Sequence, residues 1–154
     1  MENAQLLKQM FLFQELSGLE LIHVNKILGQ RKVAAGEIIL QEDAAPDYMY
    51  ILKSGRVRVT RAASTGEEVI CELQTGDHFG EIALIDKGPR SASVAAVSPC
   101  ELLTLHERDF NQLLAAHPAL RDKVHRAFLA VLCQRLRATN DTLITSSHAG
   151  QPPA

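Results

Sequence analysis

The chain has 154 residues, enough to bury one real core and short for two domains. It is 46% hydrophobic and 22% charged, which points to neither a disordered nor a membrane class. A formal charge of −2 argues against a nucleic-acid protein that works through a basic surface, and no apolar run approaches the length of a membrane span.

The N-terminus, Met1-Glu2-Asn3-Ala4-Gln5, has no basic lead and no cleavage site, so no secretory signal is read. Residues Gln5 to Phe13 are apolar enough for a short amphipathic helix. Ser17-Gly18-Leu19-Glu20 has the form of a capping box, with Ser17 as cap and Glu20 reaching back. Leu21, Val24, Ile27 and Leu28 then mark one helical face, and Gly29 is a natural stop. His23 within this helix reads as a surface or edge histidine rather than a ligand. Cys71, Cys100 and Cys133 are far apart and odd in number. Reduced thiols in apolar surroundings are the simplest account, which fits a cytoplasm.

From Arg31 to His106 the apolar period changes to two. Gly36, Gly55, Gly66, Gly76 and Gly88 separate short runs rich in valine and isoleucine, the pattern of an antiparallel sandwich or barrel. Val57 and Val59 alternate with Arg56 and Arg58, as in a strand with one wet face. Tyr48-Met49-Tyr50-Ile51-Leu52 is continuously apolar and is expected at the centre of a sheet, bounded by Asp47 and by Lys53-Ser54-Gly55.

The chain is organised around Phe79-Gly80-Glu81-Ile82-Ala83-Leu84-Ile85-Asp86-Lys87-Gly88-Pro89-Arg90-Ser91-Ala92-Ser93-Val94, which follows the turn signal Gly76-Asp77. Phosphate binding needs such parts. Gly80 lets backbone approach a ligand closely. The amides of Ile82 and Ala83 would stand unpaired at the start of a short helix, where an anion is welcome. Arg90 offers a forked, charged donor set. Glu81 would repel a phosphate and so suits another part of the ligand, such as a sugar hydroxyl. The plain alternative is an ordinary loop with Glu81 and Arg90 as a surface ion pair, worth under about 1 kcal/mol.

This stretch resembles the phosphate-binding cassette of the cyclic nucleotide-binding domain. That family includes bacterial catabolite-activator regulators, protein kinase regulatory subunits and cyclic-nucleotide-gated channels. The family pattern, Phe-Gly-Glu-Leu/Ile-Ala-Leu, a variable gap, then Pro-Arg-Ser/Thr/Ala-Ala-Ser/Thr-Val, is met at every fixed position. The resemblance implies that Glu81 accepts the ribose 2′-hydroxyl and Arg90 pairs with the cyclic phosphate. It also implies phosphate donors at the amides of Ile82, Ala83 and Ser91, with Gly80 placing the turn. The Ser91 hydroxyl would add a bond only if a bulge at the strand start turned it toward the face used by Arg90, Ala92 and Val94. Phe79 and Ala92 complete the candidate set at its two ends, although core packing is the better account of Phe79. The implied fold is α+β: an antiparallel, jelly-roll-like β-roll over 31–106, preceded by helices over 5–29 and followed by a helical pair over 107–142. The implied domain spans 1–144, with 145–154 as a disordered tail.

Helical spacing returns after Leu105. Phe110, Leu113 and Leu114 share a face, and Pro118 suits the first turn of a new helix. Leu120, Val124, Phe128, Val131 and Ala138 make a rough seam, with Leu129, Leu132 and Leu136 beside it. A helix apolar on two faces needs two covering surfaces: the β-roll and, most simply, a second copy of itself. The alternative is one wide stripe buried in a single domain. Gln134 to Asp141 resembles the segment that covers the base in bacterial activators. Thr139 matches that subgroup's threonine and Asn140 replaces its serine, so both are candidate base contacts; capping or fraying of the helix end is the alternative.

The expected function is a cyclic-nucleotide receptor, cyclic AMP foremost and cyclic GMP open, that signals by lid-helix rearrangement to a separate protein. It needs no metal or cofactor, and a homodimer through the last helix is expected. Bacterial regulators of this family continue into a helix-turn-helix domain, and no basic recognition segment follows here, so direct DNA binding is not expected. His78 and His106 stand singly and no His-x-His occurs, so a metal-dependent phosphodiesterase is disfavoured. The rivals are a scaffold that keeps the fold without using ligand, and a fragment of a longer regulator.

Overall fold

The structure is a computed structural model that describes residues 3–41, 47–80 and 92–149. Helix α1 (Ala4–Gln9), a 3-10 turn (Phe11–Phe13) and α2 (Gly18–Lys26) precede eight strands among the described residues. These are β1 (Gly29–Val33), β2 (Ile38–Leu40), β3 (Tyr48–Ser54), β4 (Arg56–Ala63), β5 (Gly66–Gln74), β6 (His78–Phe79), β7 (Ser93–Ala96) and β8 (Cys100–His106). Helices α3 (Glu107–Ala116) and α4 (Pro118–Ala149) follow. The strands form two four-stranded antiparallel sheets, ordered β1-β8-β3-β6 and β2-β7-β4-β5. This is the antiparallel β-roll with flanking helices that the sequence leads one to expect.

Strand β3 explains the long apolar run. Its neighbours are β8 and β6, and its faces serve two cores. Met49 and Ile51, opposite Leu105 and Leu103, join Leu7, Met10, Phe13, Phe110, Leu120 and Val124 beneath the helices. Tyr50 and Leu52 face the inside of the roll with Val57, Phe79, Val94 and Leu102. Both faces are covered, so no polar residue alternates. Val57 and Val59 keep the expected alternation, with Val57 fully buried. The register of β4 against β5 then shifts between Val59 and Thr60, leaving Ile70 as an extra residue. Thr60 is buried on the other face, where its Oγ1 donates to Glu67 Oε1 at 2.9 Å. The β3–β4 turn admits only glycine at 55: φ is +98°, and a Cβ there would lie 2.6 Å from both Cys100 Sγ and the Pro99 carbonyl oxygen.

The α2 capping box is present. Glu20 N donates to Ser17 Oγ at 3.2 Å, and Ser17 N to Glu20 Oε1 at 2.8 Å. The same Oε1 accepts from Lys123 Nζ at 2.7 Å, tying α2 to α4. Burial pushes the Glu20 carboxyl up, but the hydrogen bonds from Lys123 and Ser17 outweigh it and hold the group below its ordinary value.

Several local expectations are corrected. The helix expected over Gln5 to Phe13 breaks at Met10, which is extended, and resumes as the 3-10 turn. The break lets Leu7, Met10, Leu12 and Phe13 all bury, which one helical face could not do. Helix α2 ends at Lys26, and Gly29 opens β1 rather than stopping a helix. Cys100 alone has apolar surroundings, its Sγ donating to the Ser98 carbonyl at 3.1 Å; Cys71 and Cys133 are exposed. Helix α4 continues to Ala149, into the stretch read as a tail from 145. Its buried face meets chiefly the 3-10 turn and α3 rather than the strands.

Candidate functional site

The site is built where the chain leaves one sheet and joins the other. The turn before it is stitched to β3: Gly76 N donates to the Leu52 carbonyl at 2.8 Å, and Leu52 N to the Asp77 carbonyl at 2.9 Å. Asp77 Oδ2 closes the turn by accepting from Gln74 N at 2.9 Å. Strand β6 then pairs with β3, Phe79 opposite Tyr50. The two rings stack with centroids 5.2 Å apart and planes 16° from parallel. Phe79 is buried in the roll, which fits the packing role better than a ligand contact. Gly80 follows with φ +80°, a left-handed conformation that glycine adopts without penalty and that turns the chain off the strand.

The chain returns at Ala92, half-buried, and enters β7 in the second sheet, where Ser93 stands opposite Thr60 and Val94 opposite Val59. Phe79 and Gly80 therefore leave the first sheet, and Ala92 and Ser93 join the second. Glu81, Ile82, Ala83, Arg90 and Ser91, which carry the expected ribose and phosphate contacts, lie outside the described residues, as do Leu84 and Ile85.

Beside the return point lies an inner surface that pattern reading did not single out. Val57, Val59, Leu73, Cys71 and Val94 share the face that looks into the roll. Burial falls along it, from Val57 through Leu73 to exposed Cys71, so the apolar inside opens to solvent at β5, across β4 from β7. The signal for it was the Val57/Val59 alternation; what the sequence lacked was the strand register that brings Cys71 and Leu73 alongside. Thr139 and Asn140 are exposed on α4, beyond Phe128, the last α4 residue in the core. They lie outside the core that holds Phe79. Among the described residues no group of three or more His, Cys, Asp and Glu side chains could hold a metal ion.

Two antiparallel four-stranded sheets with helices at both ends make a β-roll. The cyclic nucleotide-binding domain model matches residues 30–117, and the chain belongs to that family. It is 30% identical over 120 residues to a cAMP-dependent protein kinase regulatory subunit of Blastocladiella emersonii, covering 77% of this chain and 30% of that one. It is 35% identical over 127 residues to a cyclic nucleotide-gated potassium channel of Rhizobium etli, covering 82% of this chain and 34% of the channel. The chain thus spans about a third of the length of these curated relatives. The solved structure of the Thermus thermophilus catabolite activator protein superposes with a TM-score of 0.78 at 32% identity, over 90% of this chain and 63% of that one. No catalytic family is indicated, and among the described residues no helix is long and apolar enough to cross a membrane.

Proposed function

We propose that this domain is a receptor for cyclic AMP, acting in the cytoplasm by binding rather than catalysis. Arg90 and the amides of Ile82, Ala83 and Ser91 hold the cyclic phosphate, and Glu81 holds the ribose 2′-hydroxyl. The inner surface at Val59, Leu73 and Cys71 offers an apolar wall to the rest of the nucleotide. Thr139 and Asn140 meet the base when α4 closes over it, and cyclic GMP is the alternative ligand. The reading rests on one observation: the Phe-Gly-Glu and Pro-Arg-Ser-Ala pattern is complete, and its described flanks, Phe79-Gly80 and Ala92-Ser93, lie on opposite sheets. A ligand held by residues between those flanks acts on both sheets at once. The response is a population shift, limited by the extra affinity of ligand for the closed form. The exposed Leu129, Leu132 and Leu136 of α4 suit pairing with a second copy, and the signal passes to a separate protein.

A thermal-shift series with cyclic AMP, cyclic GMP and cyclic dinucleotides tests the proposal. Ligand at about 100 times its Kd adds roughly 2.7 kcal/mol of stability and raises Tm. Cyclic AMP is expected to give the largest rise. No rise with any of them would leave the scaffold reading in place, and light scattering on the eluted protein decides monomer against dimer.

A further inference from the structure

We infer that helix α3 is an acid-sensitive joint. It is fastened at both ends by imidazoles that work only while uncharged, so mild acid loosens it from the roll and from α2. The inference concerns the free protein and does not depend on the receptor reading above.

At the first end the fastening is His106, the last residue of β8 and the N-cap of α3. Its Nδ1 accepts from Arg108 N at 3.0 Å, the kind of bond that serine or aspartate ordinarily makes at a helix start. The ring also meets Tyr48 of β3 edge-on, with centroids 4.8 Å apart. Only the neutral ring has a lone pair at Nδ1. The protonated ring carries hydrogen on both nitrogens and sets a donor against the Arg108 donor. The ionisable groups around it are Glu107, Arg108 and Asp109 of α3, Tyr48 of β3, and Asp47, whose carbonyl accepts from Glu107 N. The α2–β1 junction contributes Ile27, Leu28 and Gly29 to the recess of about 440 Å³ beside the ring, none of them charged. Glu107 and Asp109 attract a proton to His106, and the cap is what that proton removes.

At the other end His117, the C-cap of α3, stacks on His23 of α2, with centroids 4.2 Å apart and planes at 29°. Neutral rings stack without penalty; two imidazolium rings at that distance repel. On α2, Glu20 and Lys26 lie one turn either side of His23, and α4 brings Arg121, Asp122 and Lys123. Helix α1 brings Lys8, and the 3-10 turn brings no charge. Glu20 is bonded to Lys123 and Asp122 to Arg121. Both carboxylates already hold a cation, so a second proton on the histidine pair meets repulsion with little to offset it.

Histidine is the side chain whose charge ordinarily changes between about pH 5 and pH 8. Carboxylates titrate lower, and Glu20 is held lower still. Strands β4 and β7 contain no histidine. Mild acid therefore acts on the two ends of α3 while that part of the roll is left alone.

Amide hydrogen exchange on the whole chain at about pH 7.5 and about pH 5.5, corrected for the pH dependence of the intrinsic rate, tests this. In the more acidic sample the Arg108 and His117 amides are expected to lose protection about fivefold or more relative to Val57 and Val94. His106→Asn keeps a cap acceptor that does not titrate, and His117→Phe keeps a ring against His23 without a second charge. The double variant is expected to change less than about twofold over the same range. Equal relative protection of the two amides at both pH values in the wild type overturns the inference. So does a double variant that loosens as far as the wild type. If the double variant does not fold, the wild-type comparison alone decides.

Discussion

The two sheets are built from the same kinds of strand and are used differently. The first is covered on both faces at its centre: β3 and β8 give Met49, Ile51, Leu103 and Leu105 to the helices and Tyr50, Leu52 and Leu102 to the roll. The second is covered chiefly on its inner face, and its edge strand β5 is exposed along nearly its whole length. The first sheet therefore holds the domain together. The second carries the inner surface that opens at Cys71, the wall that the proposed function gives to the nucleotide. The proposed function thus assigns stability to the first sheet and binding to the second, with Phe79-Gly80 on one and Ala92-Ser93 on the other.

That division can be broken by mutation. The largest effect is expected at Ile51→Ala, which empties space shared by the first sheet and the helices. Chemical denaturation should show a loss of about 2–5 kcal/mol. A loss below about 1 kcal/mol would mean the first sheet is not the mechanical centre. Arg90→Ala should cost on the order of 2–3 kcal/mol of cyclic-nucleotide affinity by calorimetry, through lost charge-assisted phosphate contacts, with little change in the stability of the free protein. Unchanged affinity would remove Arg90 from the site.

Ser17→Ala should cost about 1 kcal/mol, since it removes the cap on α2. Its neighbour Glu20 gives a pH signature. Its carboxyl is held below its ordinary value, so its share of stability is present above the unfolded carboxyl value near 4.3 and fades as pH falls through the folded value. Wild-type Tm should therefore fall more steeply below about pH 4.3 than that of Glu20→Gln. Parallel curves would show that the Lys123 and Ser17 contacts do not favour the ionised form. The smallest effect is expected on β5: Val69, 55% exposed, should tolerate threonine within about 0.5 kcal/mol.

Much of this division was legible in the sequence. The unbroken run Met49 to Leu52 announced a strand covered on both sides, and Val57 and Val59 announced one covered on one side. The Ser17/Glu20 box was legible because it is local. What was not legible depends on distant partners. The break at Met10 arises because Leu12 must bury beside Leu7 and Phe13, a demand set by the sheet and α4. The ring stack of His23 with His117, and the exposed thiol of Cys71 on an inner face, follow from packing and register that no spacing rule encodes. At the candidate site the pattern named the residues, and the structure adds the anchoring of their two flanks.

The exposed strand β5 carries one more consequence. As the last strand of its sheet it offers a row of backbone donors and acceptors on which another molecule's strand could template itself. Glu67, Glu68 and Glu72 line it with negative charge, and the extra residue at Ile70 breaks its regular pleat. Both are devices against edge-to-edge polymerisation. Glutamine at all three glutamate positions should therefore let the protein begin to associate through β5, and cloudiness in concentrated samples should appear while the fold is intact.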